Sequence, residues 1–190
     1  MYETAREVGF PRLTMHSGEE GPASWVRQTV FDLGINRVDH GVHAADDDAL
    51  LDELAGRETF FTLCPLSNVR LRVHKSVSES PIPKFLAKNI KFSLNSDDPA
   101  YFGGASLFPC ISHFAPRRRE ARADAARTPS PAGYVLDNYL AVHDAFQFDK
   151  ATWRRIAQNG IDGSWCSDER KAAMSAQLAA VLGEWEGKEI

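Results

Sequence analysis

Five side chains able to bind a metal ion or move a proton stand at the ends of short apolar runs: His16, Glu19, His40 and the adjacent pair Asp97 and Asp98. In His16-Ser17-Gly18-Glu19 an imidazole is followed three residues later by a carboxyl, and Gly18 lets the backbone turn sharply between them. The pair reads either as a metal ligand with an acid or as a hydrogen-bonded surface pair. In Asn95-Ser96-Asp97-Asp98-Pro99 two neighbouring carboxylates leave one strand end in different directions, so one can ligate a metal while the other binds a substrate. The same motif also suits a helix N-cap with Pro99 in the first turn. His40, within Arg37-Val38-Asp39-His40-Gly41, has the near-neutral pKa that suits general-base or orienting work. Cys64-Pro65-Leu66-Ser67-Asn68 reads as pocket wall, with Ser67 and Asn68 able to supply hydrogen bonds. His43, His74, His113 and His143 fall outside this pattern and take structural or solvent-facing roles.

These residues need elements that bring them together. Four strand candidates, 12–15, 36–38, 59–63 and 90–94, each lead into a turn and then a helical pattern. Val26, Val30 and Leu33 repeat at helical spacing with Gly34 as C′ residue; Asp46 caps a helix bearing Leu50, Leu51 and Leu54; Ile82, Phe85 and Leu86 give a third apolar face. Strand–helix alternation implies parallel pairing. The chemistry-bearing residues then share the rim formed by the strands' C-terminal ends, where (β/α) barrels place their active sites. His16, His40 and Cys64 are spaced 24 residues apart, and Asp97 follows 33 later, close to the roughly 31 per unit of an eight-unit barrel of about 250 residues.

From Tyr134 onward the chain reads as helices. Val135, Tyr139, Val142 and Phe146 form one apolar stripe; Met174, Leu178, Val181, Leu182 and Trp185 form another, capped by Ser167, and their aromatic residues are expected in the core. The segment 105–133, rich in Ala, Arg and Pro, reads as a disordered insertion between core segments 10–104 and 134–185 of one domain spanning 1–190. The fold class expected is α/β: the C-terminal half of a TIM (β/α)8 barrel, about four parallel strands plus C-terminal helices. Because closure takes eight strands, the chain reads as a fragment or truncated product, with dimeric closure or a degenerate open sheet as the other readings.

Composition narrows the function classes. The 190 residues carry 22 basic and 26 acidic side chains, a net charge of −4, which argues against a general nucleic-acid binder. Apolar content of 43% and the absence of a long apolar run argue for a globular chain with no membrane span. Cys64, Cys110 and Cys166 are too widely spaced for a zinc ribbon and odd in number for a disulfide framework. A cytoplasmic location is expected, with the nucleus as an alternative.

Taken together, the four strand-end motifs resemble the adenosine/adenine deaminase family of zinc hydrolases, over about residues 10–104 and more weakly 134–180. Cys64-Pro-Leu-Ser-Asn68 and Asn95-Ser-Asp-Asp-Pro-Ala-Tyr-Phe-Gly-Gly104 look more like the adenine branch. The resemblance implies one catalytic Zn2+, with His16 and Asp97 as ligands and two further ligands from a His-x-His pair that this sequence lacks. It implies Glu19 as proton donor to purine N1, His40 as the base orienting the metal-bound water, and Asp98 as acceptor for N7–H. The reaction implied is hydrolytic deamination of a 6-aminopurine, adenine to hypoxanthine and ammonia in purine salvage, with adenosine as the alternative substrate. A small-molecule purine is then the expected partner, with self-association as one way to close the barrel. A non-catalytic remnant or binding module is the reading from a different class. Ser17 stands where the family usually has Ala, and joining Gly104 to Tyr134 restores the family's run, so 105–133 reads as inserted sequence.

Overall fold

The computed structural model describes residues 1–98 and 133–186. Four strands, β1 (Met15–Ser17), β2 (Arg37–His40), β3 (Phe60–Leu63) and β4 (Lys91–Leu94), lie side by side in sequence order, all parallel. The crossovers hold α2 (Ala23–Arg27), which runs into a single π-helical turn (Gln28–Asp32), then α3 (Asp48–Gly56), α4 (Pro65–Arg70) and α5 (Ile82–Ala87). A short α1 (Tyr2–Glu7) precedes the sheet; α6 (Gly133–Phe146), α7 (Lys150–Gly163) and α8 (Asp168–Glu184) follow it. This is the (β/α) half-barrel the sequence pattern calls for. No helix among the described residues is long and apolar enough to cross a membrane.

The register divides the sheet into two faces. Met15, Val38, Phe61 and Phe92 stand level across the four strands, and one residue further on stand His16, Asp39, Thr62 and Ser93. Side chains alternate along a strand, so the two rows point to opposite sides. The first row is apolar, and Val38, Phe61 and Phe92 are fully buried with Val26, Val30, Leu50, Leu51, Leu54, Ile82 and Phe85 from the crossover helices. Phe85 lies 5.1 Å from Phe61 and 6.4 Å from Phe92, ring centre to ring centre. Each such side chain contributes about 1.5–3 kcal/mol by burial. A one-residue slip would turn this whole set outward, so apolar burial fixes the register and thereby aims the polar row away from the crossover helices.

Several local expectations are corrected. β1 begins at Met15, not at residue 12: the Thr14 carbonyl accepts a hydrogen bond from the Tyr2 hydroxyl at 3.1 Å, and the Arg12 side chain reaches away to donate to the Trp165 carbonyl. Asp47, not Asp46, caps α3 by accepting from the Leu50 amide at 2.9 Å; Asp46 instead pairs with His43 at 2.8 Å. Leu33 is exposed, whereas Gly34 does take the left-handed conformation expected at a helix end. Ser167 caps α8 as expected, but α8 fully buries no residue and Trp185, expected in the core, is exposed, whereas Tyr139 and Phe146 of α6 do pack against the core. Val142 of α6 and Ile156 of α7 are fully buried and tie these helices to the sheet's core. The expected insertion lies, apart from Gly133, outside the described residues.

Candidate active site

His16 leaves β1 at the start of a turn that only glycine can make. Gly18 has φ +67°, and a Cβ there would stand 2.4 Å from Val26 Cγ2. This close turn brings Glu19 back over the strand ends. At the end of β2, His40 and Gly41 take successive left-handed conformations, φ +61° and +63°. For a histidine that conformation costs on the order of 1 kcal/mol. It persists because Gly41 is packed against the Phe61 ring, where a Cβ would fall 2.4 Å from Cε1. After β4, the Asn95 amide donates to the Leu63 carbonyl at 2.8 Å, and Asp97 adopts φ +58°.

The result is a cluster centred on His40, whose side chain is only 2% exposed. Its Nδ1 lies 3.2 Å from Glu19 Oε1, and its Nε2 faces Asp97 Oδ2 at 3.6 Å. The His16 ring stands 5.0 Å from the His40 ring, centre to centre. His16 itself is 68% exposed, and its Nδ1 lies 3.2 Å from Asp39 Oδ2. Asp39 is in turn held by Thr14 Oγ1 at 2.8 Å and Thr62 Oγ1 at 2.5 Å. α4 supplies two more contacts: Ser67 donates to Asp97 Oδ2 at 2.5 Å, and Asn68 donates to Glu19 Oε1 at 2.9 Å. The Asp98 amide donates to Asp97 Oδ1 at 2.9 Å, while Asp98 itself is exposed.

Electrostatics follow from this packing. Burial, followed by the nearby Asp97 charge, raises the Glu19 pKa above the usual carboxylate value. Burial lowers the His40 pKa, against the opposing pull of Asp97. The Cys64 thiol is pushed far up by burial and then by Asp97 and Glu19, so it stays protonated and lines the wall.

The structure thus gathers His16, Glu19, His40 and Asp97 at one mouth and leaves Asp98 at its exposed edge. Donor atoms of His40, Cys64 and Asp97 lie within 4.8 Å of one another, close enough to share a metal ion. His16 is not in that trio, but it has the arrangement typical of a metal-binding histidine: a carboxylate on Nδ1 that leaves Nε2 free. Imidazole nitrogen and carboxylate oxygen are donors that suit zinc, so the donor set fits the metal. Sequence reasoning missed Asp39, Thr14 and Thr62. A carboxylate inside a four-residue strand, level with a histidine on the next, was the available signal for the first.

A family profile described as adenosine deaminase matches residues 1–108. An adenine deaminase of Candida glabrata is 41% identical over 97% of the chain, and one of Candida albicans is 45% identical over 94%. The chain spans 45% and 41% of those two relatives' lengths, respectively. Among solved structures, an adenine deaminase from Arthrobacter aurescens is similar with a TM-score of 0.76 and 32% identity, over 96% of this chain and 46% of that one. A zinc-bound amidohydrolase from Burkholderia ambifaria is similar with a TM-score of 0.69 and 26% identity, over 96% of this chain and 43% of the other.

Proposed function

Since this chain belongs to the adenosine deaminase family, we propose that its strand-end cluster is one half of the catalytic centre of a zinc-dependent hydrolase that deaminates a 6-aminopurine. Adenine is the favoured substrate, giving hypoxanthine and ammonia. The observation that carries this reading is His40, buried at the carboxyl ends of the strands with Glu19 at one ring nitrogen and Asp97 facing the other. Support for adenine over adenosine comes from the relatives, which are adenine deaminases at 41% and 45% identity.

His16 and Asp97 are the residues that would hold the metal, with further ligands supplied from outside the described cluster. Zinc in such a site supplies Lewis-acid activation, able to lower the pKa of a water from 15.7 to about 7. The chain's own residues do the rest. His40 Nε2 faces the Asp97 side of the cluster, where it can accept a proton from the attacking water. Glu19, its pKa raised by burial, is suited to reach the substrate-bound state protonated and to donate to the purine ring nitrogen N1. Ser67 fixes Asp97, and Asp39 fixes His16. Asp98, at the exposed edge, is assigned the N7–H of the purine. Water adds at the carbon bearing the amine, the amine leaves as ammonia, and an oxo-purine remains.

Because the chain spans less than half the length of these relatives, turnover belongs to the completed barrel. The test is to co-express the chain with the part of the Candida glabrata relative that it does not span, load zinc, and measure ammonia release from adenine and adenosine. Adenine should be the faster substrate, and Glu19→Gln should lower its rate by roughly 10²–10⁴-fold, the usual scale of general acid–base catalysis. Faster release from adenosine would overturn the substrate assignment. Turnover unchanged in Glu19→Gln would overturn the proton-donor role. A complex that holds zinc without turnover would favour a ligand-binding module instead.

A further inference from the structure

The six-residue α4 carries two side chains that hold the carboxylates of the site: Ser67 donates to Asp97 Oδ2 at 2.5 Å and Asn68 to Glu19 Oε1 at 2.9 Å. A helix this short is not stable by itself and takes its position from what it packs against. Its N-terminus has no cap of its own. Cys64, at the N-cap position, makes no side-chain cap hydrogen bond, Pro65 has no N–H to give, and the first helical bond runs from the Asn68 amide to the Cys64 carbonyl at 3.0 Å. The Leu66 amide therefore needs a partner from elsewhere. It finds one 72 residues further along the chain, in Asn138 of α6, whose Oδ1 accepts from it at 3.0 Å. We propose that Asn138 is a positioning residue of the active site: by capping α4 from α6 it sets the place of Ser67 and Asn68, and through Asn68 the place of the proton donor Glu19. The proposal rests on the catalytic reading of the strand-end cluster and adds to it a residue from the helices that follow the sheet.

Burial and geometry separate this contact from a surface pairing. Asn138 is 2% exposed and Asn68 is 1% exposed, so neither carboxamide can trade its partner for bulk water. The Asn138 atom at the Leu66 amide is the carboxamide oxygen, because a backbone N–H only donates. The N-terminal turn of a helix, where unpaired amides converge, is where a side-chain oxygen stabilises most as a cap. α6 is itself held firmly: Val142, one turn after Asn138 and on the same helix face, is fully buried in the core. The buried face of α6 thus aims Asn138 at α4. Without that oxygen the first turn of α4 loses its tie to α6, and this is the turn that bears Ser67 and Asn68.

The test reads α4 directly in the full chain, without metal or substrate, so a failure of deamination leaves it intact. In the 15N-labelled chain, hydrogen exchange at the Leu66 amide should quicken roughly 2- to 10-fold in Asn138→Ala and in the near-isosteric Asn138→Leu, the scale set by one lost hydrogen bond. The amides of β2 and β3 should keep their wild-type rates. In the same variants the Asn68 side-chain NH2 resonances should move toward those of a solvated Asn. Asn138→Asp keeps the acceptor oxygen and should restore both signals. Wild-type Leu66 exchange or unmoved Asn68 resonances in the folded variants overturn the proposal. A uniform rise in exchange across the sheet overturns it too, since that marks a purely structural role. In the completed barrel, kcat should fall in Asn138→Ala and recover in Asn138→Asp. The fall should be smaller in an Asn68→Ala background, because both substitutions act on Glu19 through one helix. Fully additive losses overturn the route through Asn68.

Discussion

Helices α3 and α8 are both capped by a side chain at the N-terminus, yet the nine-residue α3 fully buries Leu50, Leu51 and Leu54, while the seventeen-residue α8 leaves even Met174, Leu178 and Leu182 only half-buried. The difference extends to the regions they belong to. From Met15 to Leu94, helices α2, α3 and α5 cover the apolar sheet face and the core is continuous, while α4 buries Pro65, Ser67 and Asn68 at the strand-end rim. From α6 onward, Val142 and Ile156 are buried in that core and Tyr139, Phe146, Phe148 and Trp153 pack against it half-buried, whereas α8 contributes no residue to it and makes polar contacts: Lys171 to the Asp162 carbonyl at 2.9 Å, Gln158 to Ser175 at 3.0 Å, and Lys150 to the Trp185 carbonyl at 3.0 Å. Capping and propensity make a helix, but a core needs an apolar surface opposite. The strand-end cluster stands on the first region and the turn that follows β4.

Stability measurements can break this contrast. The largest effect is expected at Phe61, fully buried between Phe85 and Gly41: Phe61→Ala should cost about 3–5 kcal/mol in denaturant unfolding. A cost near that of a surface substitution would mean that the sheet face is not the centre of stability. A smaller effect is expected from acid at His74, whose pKa is lowered by burial and whose Nε2 is buried without a hydrogen-bond partner among the described residues. The unfolded chain binds a proton there near pH 6.5, and the folded chain binds it only at lower pH. The stability that His74 contributes at neutral pH is therefore lost as pH falls from about 6.5 through its folded-state pKa. Unfolding midpoints measured against pH should decline less steeply in His74→Gln than in the wild type. The smallest effect is expected in the second region, where exposed Val181→Ser should change stability by no more than about 0.5 kcal/mol. A loss of 2 kcal/mol there would show that α8 packs on an apolar partner after all.

The four strand–helix units were legible because burial on one sheet face imposes an apolar pattern that survives in a linear sequence. The strand ends at His16, His40 and Asp97 could be found by counting from one unit to the next. The stripe on α8 misled in part: Met174, Leu178 and Leu182 are half-buried, but Val181 and Trp185 are exposed, because helical spacing says nothing of how wide a surface lies opposite. The cap of α3 moved by one residue, from Asp46 to Asp47, because His43 takes Asp46 for itself. Asn68 was visible as a possible hydrogen-bond donor but not as a partner of Glu19, 49 residues away.

Residue order alone determined the parallel strand–helix alternation, the rim on which the reactive groups fall, and the motifs that tie the chain to its family, since each is a matter of spacing within one or two elements. Tertiary structure alone decided that Glu19 and Asp97 flank His40 on its two ring nitrogens, that Asp39 turns His16, and that Asn68 donates to Glu19. Those contacts join residues 21 to 57 positions apart, and only the packed fold sets their distances.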